Sequence, residues 1–189
     1  MNGKLFPYAF LLAGLLLPSF AIGAEKTLRV VVTGIDESGR SVIVSDGEPG
    51  LMLRGMPGGF MGDLWKTDVM PITNQDGYAP SEYALEPKGA GGISFRVAAI
   101  PPEKDGSEHA DEKVFGMHQT DTIDFVTIIS GAIHLRLEGG LEVLLEAGDT
   151  LVQRGTSHAW INRGDVPCVF SAVMVKPAIA TPGDEPGAH

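Results

Sequence analysis

The chain has 189 residues, enough for one domain with a substantial core. It carries 14 Lys and Arg residues against 24 Asp and Glu residues, a formal net charge of −10. Because nucleic-acid affinity depends on basic contacts to phosphate, this excess of acid argues against nucleic acid as a partner. A single cysteine, Cys168, rules out an intramolecular disulfide, and its apolar neighbours indicate a buried side chain rather than a nucleophile.

Residues 1–24 have the pattern of a secretory signal peptide. Lys4 is the only charge before Glu25, residues 5–22 are almost wholly apolar, and small residues follow at 23–24. The apolar run is also long enough for a membrane anchor, but its two prolines and its small-residue exit favour cleavage. We therefore expect a periplasmic or extracellular protein with no stable membrane span after cleavage.

Residues 25–92 are predicted to form an N-terminal extension. Two β runs, 27–33 and 41–45, flank a Gly-bounded loop and predict a hairpin. From Gly47 to Gly92 the composition shifts to ten glycines and four of the seven methionines, which indicates a long functional or mobile loop.

The region 93–176 is predicted to be a compact all-β barrel. The even-numbered residues from His118 to Ser130 begin polar and become apolar, as on one face of a strand. Further short strands are expected at 93–100, 132–138, 150–153, 158–162 and 168–175, with Gly-rich turns between them. Strands this short, with no helical period between them, favour an antiparallel barrel or jelly roll. The Pro/Gly-rich tail 177–189 is expected to be flexible.

Two polar clusters lie in this region, and together they resemble the two motifs of the cupin family. The first motif, G-x5-H-x-H-x3,4-E-x6-G, and the second, G-x5-P-x-G-x2-H-x3-N, are both matched in part. In the first, His118 stands for the first histidine, Thr120 for the second, Asp124 for the glutamate, and Gly131 closes the motif. The matches to the second motif are Gly148, Gly155, His158 and Asn162, with Arg154 where a proline is usual and one residue fewer before the histidine.

The resemblance implies an all-β fold, the cupin double-stranded β-helix or jelly-roll barrel, with the predicted hairpin as an N-terminal extension. It also implies a homodimer, because such hairpins serve as arms in cupin-like dimers. A full set of family ligands, three histidines and a glutamate, holds a divalent metal. Here His118, Asp124 and His158 remain, a two-histidine, one-carboxylate set that suits Fe(II), with Mn or Zn as other transition metals. The alternative is a vestigial site in which these side chains bond to one another and contact an organic ligand.

Other residues are candidates for substrate binding. Arg96 and Arg154 have the planar fork of donors that pairs with a substrate carboxylate. Trp160 lies on the same strand face as His158, by its even spacing, and could form a wall of the pocket. Thr120, in place of a histidine ligand, leaves a coordination position open. The first hypothesis is a metal-dependent enzyme of lyase, isomerase or dioxygenase type that acts on a small organic substrate. The alternatives are a non-catalytic small-molecule-binding cupin, and a metal-free enzyme with His158 as general base and Asp124 as an orienting group.

Overall fold

The computed structural model describes residues 28–54, 58–68, 70–103 and 116–177. Within these ranges the regular structure is entirely β. The strands are β1 (Val30–Ile35), β2 (Ser41–Gly47), β3 (Leu51–Leu53), β4 (Phe60–Thr67), β5 (Ile93–Ile100), β6 (Ile123–Ser130), β7 (Ala132–Leu137), β8 (Glu142–Glu146), β9 (Thr150–Arg154), β10 (His158–Ile161) and β11 (Cys168–Val175).

Two antiparallel sheets form the body of the molecule. The larger has six strands in the order β3-β4-β5-β11-β6-β9, and the smaller has three in the order β10-β7-β8. Their inner faces enclose one core that includes Val126 and Phe170 from the larger sheet and Ile133 and Leu135 from the smaller. The prediction of an all-β jelly-roll barrel is confirmed.

Strand alternation places the polar residues of the first cluster inside the barrel. Along β6 the side chains of Asp124, Val126 and Ile128 are buried, while Phe125 and Ile129 are exposed. Because consecutive side chains point to opposite faces of a strand, the even-numbered set shares the inner face, as the sequence predicts. The inner face therefore changes along its length from a carboxylate to an aliphatic core.

The stretch between Gly47 and Gly92 differs from the predicted long loop. It contributes β3 and β4 to the larger sheet, and β4 pairs along its length with β5. Gly62 lies in the middle of β4, where an added Cβ would fall 2.7 Å from the Met52 sulfur. Gly62 therefore lies inside the strand, where the Met52 and Leu28 side chains pack over it, and it does not mark a loop.

The predicted N-terminal hairpin is confirmed as β1 and β2, which form a separate two-stranded sheet. Every residue of β2 is exposed, including Ile43 and Val44 at 65% each. No helix among the described residues is long and apolar enough to cross a membrane. The predictions for residues 1–24, and for the tail beyond residue 177, lie outside the described residues.

Two motif residues fix the turns around the inner strands. Gly131, between β6 and β7, has φ +75°, and an added Cβ would lie 2.8 Å from the carbonyl oxygen of Pro167. Asn162, after β10, is fully buried. Its amide nitrogen donates to the carbonyls of Ile100 at 2.8 Å and Val166 at 2.9 Å, and its oxygen accepts from the Gly164 N–H at 2.9 Å.

Candidate functional site

The two motif histidines face each other across a single β bridge. His158 begins β10, and its backbone N–H donates to the carbonyl of His118 at 2.8 Å, while the His118 N–H donates back at 2.9 Å. The ring centroids are 4.4 Å apart. The prediction that the two clusters meet on one surface is confirmed.

Both imidazole rings are oriented by backbone carbonyls. Nδ1 of His118 lies 2.6 Å from the Gly116 oxygen, and Nδ1 of His158 lies 2.9 Å from the Thr156 oxygen. A carbonyl only accepts, so these contacts place a proton on each Nδ1 and, in the neutral ring, leave the lone pair on Nε2. Burial, with the nearby His118, lowers the pKa of His158 to about 4 despite the opposing effect of the Thr156 carbonyl. His158 is therefore neutral at neutral pH.

Asp124 contributes a buried carboxylate to the same interior. Its side chain is 6% exposed, and its Oδ1 has no hydrogen-bond partner. Burial raises its pKa above the ordinary value, while the Thr122 hydroxyl, Arg96 and His118 act in the opposite direction. Because orphaned buried acceptors are costly, this oxygen is poised to accept from a bound group.

A cavity of about 50 Å3, open to solvent, lies between these groups. Its polar lining consists of Arg96, His118, Thr120, Asp124 and His158. Its other lining residues, which we call the apolar wall, are Met61, Leu85, Ala98, Trp160, Phe170, Ala172 and Met174.

Trp160 lies in the cavity wall as predicted. Its ring meets His158 edge-on with centroids 5.7 Å apart and stacks on Phe170 with centroids 5.0 Å apart. Thr120 also lines the cavity, and its hydroxyl accepts a hydrogen bond of 2.8 Å from Thr122.

Arg154, predicted as an anion clamp, does not line the cavity. It is exposed on β9, where the inward side chain is its neighbour Gln153, 3% exposed. Because parity alternates along a strand, Arg154 points to the outer face. Substrate contact by Arg154 inside the barrel is therefore excluded by its placement.

Arg96 does line the cavity, but it is held in a buried ion network. Its Nε lies 3.1 Å from Asp63 Oδ1, and Asp63 Oδ2 lies 2.9 Å from Nζ of Lys66. All three side chains are at most 6% exposed. Neither Asp63 nor Lys66 is predicted as a site residue, because the glycines around β4 suggest a loop and not the strand that carries both side chains.

The described residues hold no preassembled three-ligand metal site. Within those ranges, no three His, Cys, Asp or Glu side chains are grouped closely enough to hold a metal ion as they stand. The donor chemistry nonetheless suits a cation, because both Nε2 lone pairs and Asp124 Oδ1 are free acceptors. Two imidazoles are thus already oriented as ligands, with a free carboxylate oxygen in the same cavity.

The chain is similar to one protein-family model, to several curated proteins and to solved structures. Residues 105–175 match the model of the Cupin domain family. Phomopsin biosynthesis cluster protein C' of Diaporthe leptostromiformis is 31% identical over 162 residues, covering 80% of this chain and 81% of that protein. The cupin-domain-containing oxidoreductase fogC of Aspergillus ruber is 29% identical over 149 residues, covering 74% of this chain and 66% of that protein. A candidate ethanolamine utilization protein Q of Salmonella typhimurium has a solved structure at TM-score 0.43 and 16% identity, covering 80% of this chain and 98% of that one.

Proposed function

Since the chain belongs to the cupin superfamily, we propose that it is an enzyme that transforms a small organic molecule inside the barrel, with a single divalent transition metal held by His118, Asp124 and His158. The oxidoreductase name carried by one relative supports an enzyme rather than a passive binder. The alternative is a cupin that binds its ligand without turnover.

One observation carries this proposal: two imidazoles and a carboxylate oxygen in the cavity lining are available as acceptors. Each histidine donates its Nδ1 proton to a backbone carbonyl and, in its neutral form, keeps the Nε2 lone pair, and Asp124 Oδ1 has no hydrogen-bond partner. Acceptors grouped in this way are stabilised by a cation or by a ligand that donates. The backbone contacts at Nδ1 also fix the ring orientation, as partners of metal-bound histidines do.

Each residue has a defined part in the proposed site. The metal, when bound, supplies a Lewis acid that polarises a substrate oxygen. His158, neutral and nearly fully buried, holds its lone pair toward the cavity without competition from a proton. Asp124 balances the cation with negative charge, and Thr120 adds a hydroxyl beside the histidines. Trp160 excludes water from one side of the cavity.

A metal-free enzyme is the second candidate, because the described side chains do not form a three-ligand group as they stand. In that case His158 acts as the general base and Asp124 orients the substrate. With a pKa of about 4 the imidazole of His158 is neutral at pH 7, but it is a weak base there.

Cobalt(II) titration followed by visible absorbance distinguishes the two candidates. We expect one saturable set of d–d bands in the full-length protein, which weakens or vanishes in the His118→Ala, His158→Ala and Asp124→Asn variants. His134→Ala is the matched control, because His134 lies on β7 and does not line the cavity. A spectrum identical to that of cobalt in buffer would overturn metal binding and leave the acid–base candidate.

We also propose that the chain is exported and dimeric. Residues 1–24 supply the signal pattern, and mass spectrometry of protein from a secreting host is expected to show loss of this segment. For the dimer, the support is the exposed hairpin, because a two-stranded sheet with apolar residues facing water on β2 is marginally stable by itself. Light scattering that gives only the monomer mass would contradict the dimer.

A further inference from the structure

The barrel cavity is lined mostly by apolar side chains. The apolar wall supplies seven of the twelve described lining residues, and Ala172 and Met174 of β11 lie between Arg96 on β5 and Asp124 on β6. A ligand with hydroxyl groups all round would lose hydrogen bonds to water wherever it met the apolar wall, at a cost for each unpaired group. The lining therefore favours a ligand with a mainly apolar body.

Arg96, the cation among the described lining residues, is held by three contacts to the protein. Its Nε lies 3.1 Å from Asp63 Oδ1, and its two terminal nitrogens donate to backbone carbonyls, Nη1 to Leu85 at 3.0 Å and Nη2 to Ala84 at 2.9 Å. Asp63 also pairs with Lys66, so one carboxylate is shared by two cations. The two carbonyl contacts fix the guanidinium beside the segment at 84–85.

These same bonds hold part of the apolar wall in place. Ala84 lines a separate outer cavity, together with Lys66 and Tyr83, whereas Leu85 lines the barrel cavity. The segment at 84–85 is therefore the partition between the two cavities, and Arg96 fixes it through both carbonyls. Leu85 is held in the wall by backbone contacts that do not depend on its own side chain.

We infer that this site accepts a substrate with a mainly apolar body, and that Leu85 limits the size of that body. Arg96 fixes the backbone of Leu85 through the hydrogen bond to its carbonyl. The inference deepens the proposed function and rests on it for turnover, but binding of the apolar body requires no metal.

Two probes of equal ring size test the substrate class. Cyclohexanol has one hydroxyl on an apolar ring, and glucose has hydroxyls around a ring of the same size. The full-length protein, labelled with 13C at methionine methyl groups, reports on the cavity through Met61 and Met174, while exposed Met70 serves as the internal reference. We expect cyclohexanol to shift the two cavity signals with a dissociation constant of about a millimolar, as suits so small a ligand.

Glucose and glucose 6-phosphate are expected to leave both cavity signals unchanged over the same concentrations. Shifts at Met61 and Met174 with either sugar, or none with cyclohexanol, would overturn the inference. The titrations are run on protein as purified and again after chelation. If cyclohexanol binds to protein that never takes up metal, the inference about the substrate stands and the metal proposal is refuted. Failure of the one proposal can therefore be told apart from failure of the other.

The role of Leu85 is tested with a bulkier probe, 4-tert-butylcyclohexanol. The Leu85→Ala variant is expected to bind it at least about tenfold more tightly than the wild type, and to bind cyclohexanol more weakly. Leu144→Ala is the control, because Leu144 is exposed on β8 away from the cavity. Equal affinities for the bulky probe in wild type and Leu85→Ala would remove Leu85 as the determinant of size.

Discussion

Asn162 is expected to be one of the most costly side chains to remove, although it carries no charge and lies outside the cavity. It makes three hydrogen bonds to backbone groups of Ile100, Val166 and Gly164. In Asn162→Ala the buried carbonyl of Ile100 loses its donor, while the Val166 carbonyl and the Gly164 N–H lie in an exposed turn, where water can replace part of what is lost. With about 1–3 kcal/mol for the buried orphan and about 0.5–1 kcal/mol for the part-buried bonds, the free energy of unfolding should fall by roughly 2–4 kcal/mol.

Urea denaturation of the full-length protein measures this loss. With a slope of about 2 kcal/mol per molar urea, the midpoint should fall by about 1–2 M. Asn162→Asp should cost at least as much, because it turns an acceptor toward the carbonyls of Ile100 and Val166. Asp165→Ala, an exposed substitution in the same turn, should change stability by no more than about 0.5 kcal/mol. A loss below about 1 kcal/mol in Asn162→Ala would refute this hydrogen-bond reasoning.

Three further predictions concern the turns, the thiol and acid stability. In urea denaturation, Gly131→Ala should lower the free energy of unfolding far more than Gly139→Ala. Both glycines have positive φ, but only at Gly131 would the new Cβ clash with backbone atoms. Equal losses in the two variants would contradict this. Cys168, fully buried with a thiol pKa raised to about 11, should resist Ellman's reagent until the protein unfolds, and rapid labelling of folded protein would refute that burial. For the metal-free protein, the free energy of unfolding should fall by up to about 3 kcal/mol as pH falls from 6.5 towards 4, because His158 binds its proton at a higher pH in the unfolded state than in the folded state. If a His158→Gln variant lost stability with pH just as steeply, His158 would not be the cause.

The barrel and its inner face were predictable from periodicity, because strands such as β6 and β11 alternate between buried and more exposed residues. The predicted strand 168–175 coincides with β11, and the inward set around Asp124 follows from its even spacing with Val126 and Ile128. Alternation of this kind is a local property, so the sequence displays it directly.

The features that were not predicted depend on contacts between segments that are distant in the sequence. β4 lacks a strict alternation, because it is buried on both faces and carries Gly62 where Met52 packs closely. The sequence pattern therefore does not indicate that Asp63 pairs with Arg96, and Arg96 is predicted to be free to bind a substrate anion. Arg154 was predicted inside because it adjoins a motif histidine in sequence, although parity along β9 turns it outward.

The most direct test of the proposed function is the metal content of the full-length protein, purified without chelator and without immobilised nickel, by inductively coupled plasma mass spectrometry. The geometry of His118 and His158 predicts about one equivalent of iron, manganese or zinc, lost in both alanine variants and retained in His134→Ala. No metal in the wild type, and none after reconstitution with each ion, would contradict the metal site and leave the neutral imidazole of His158 as a general base.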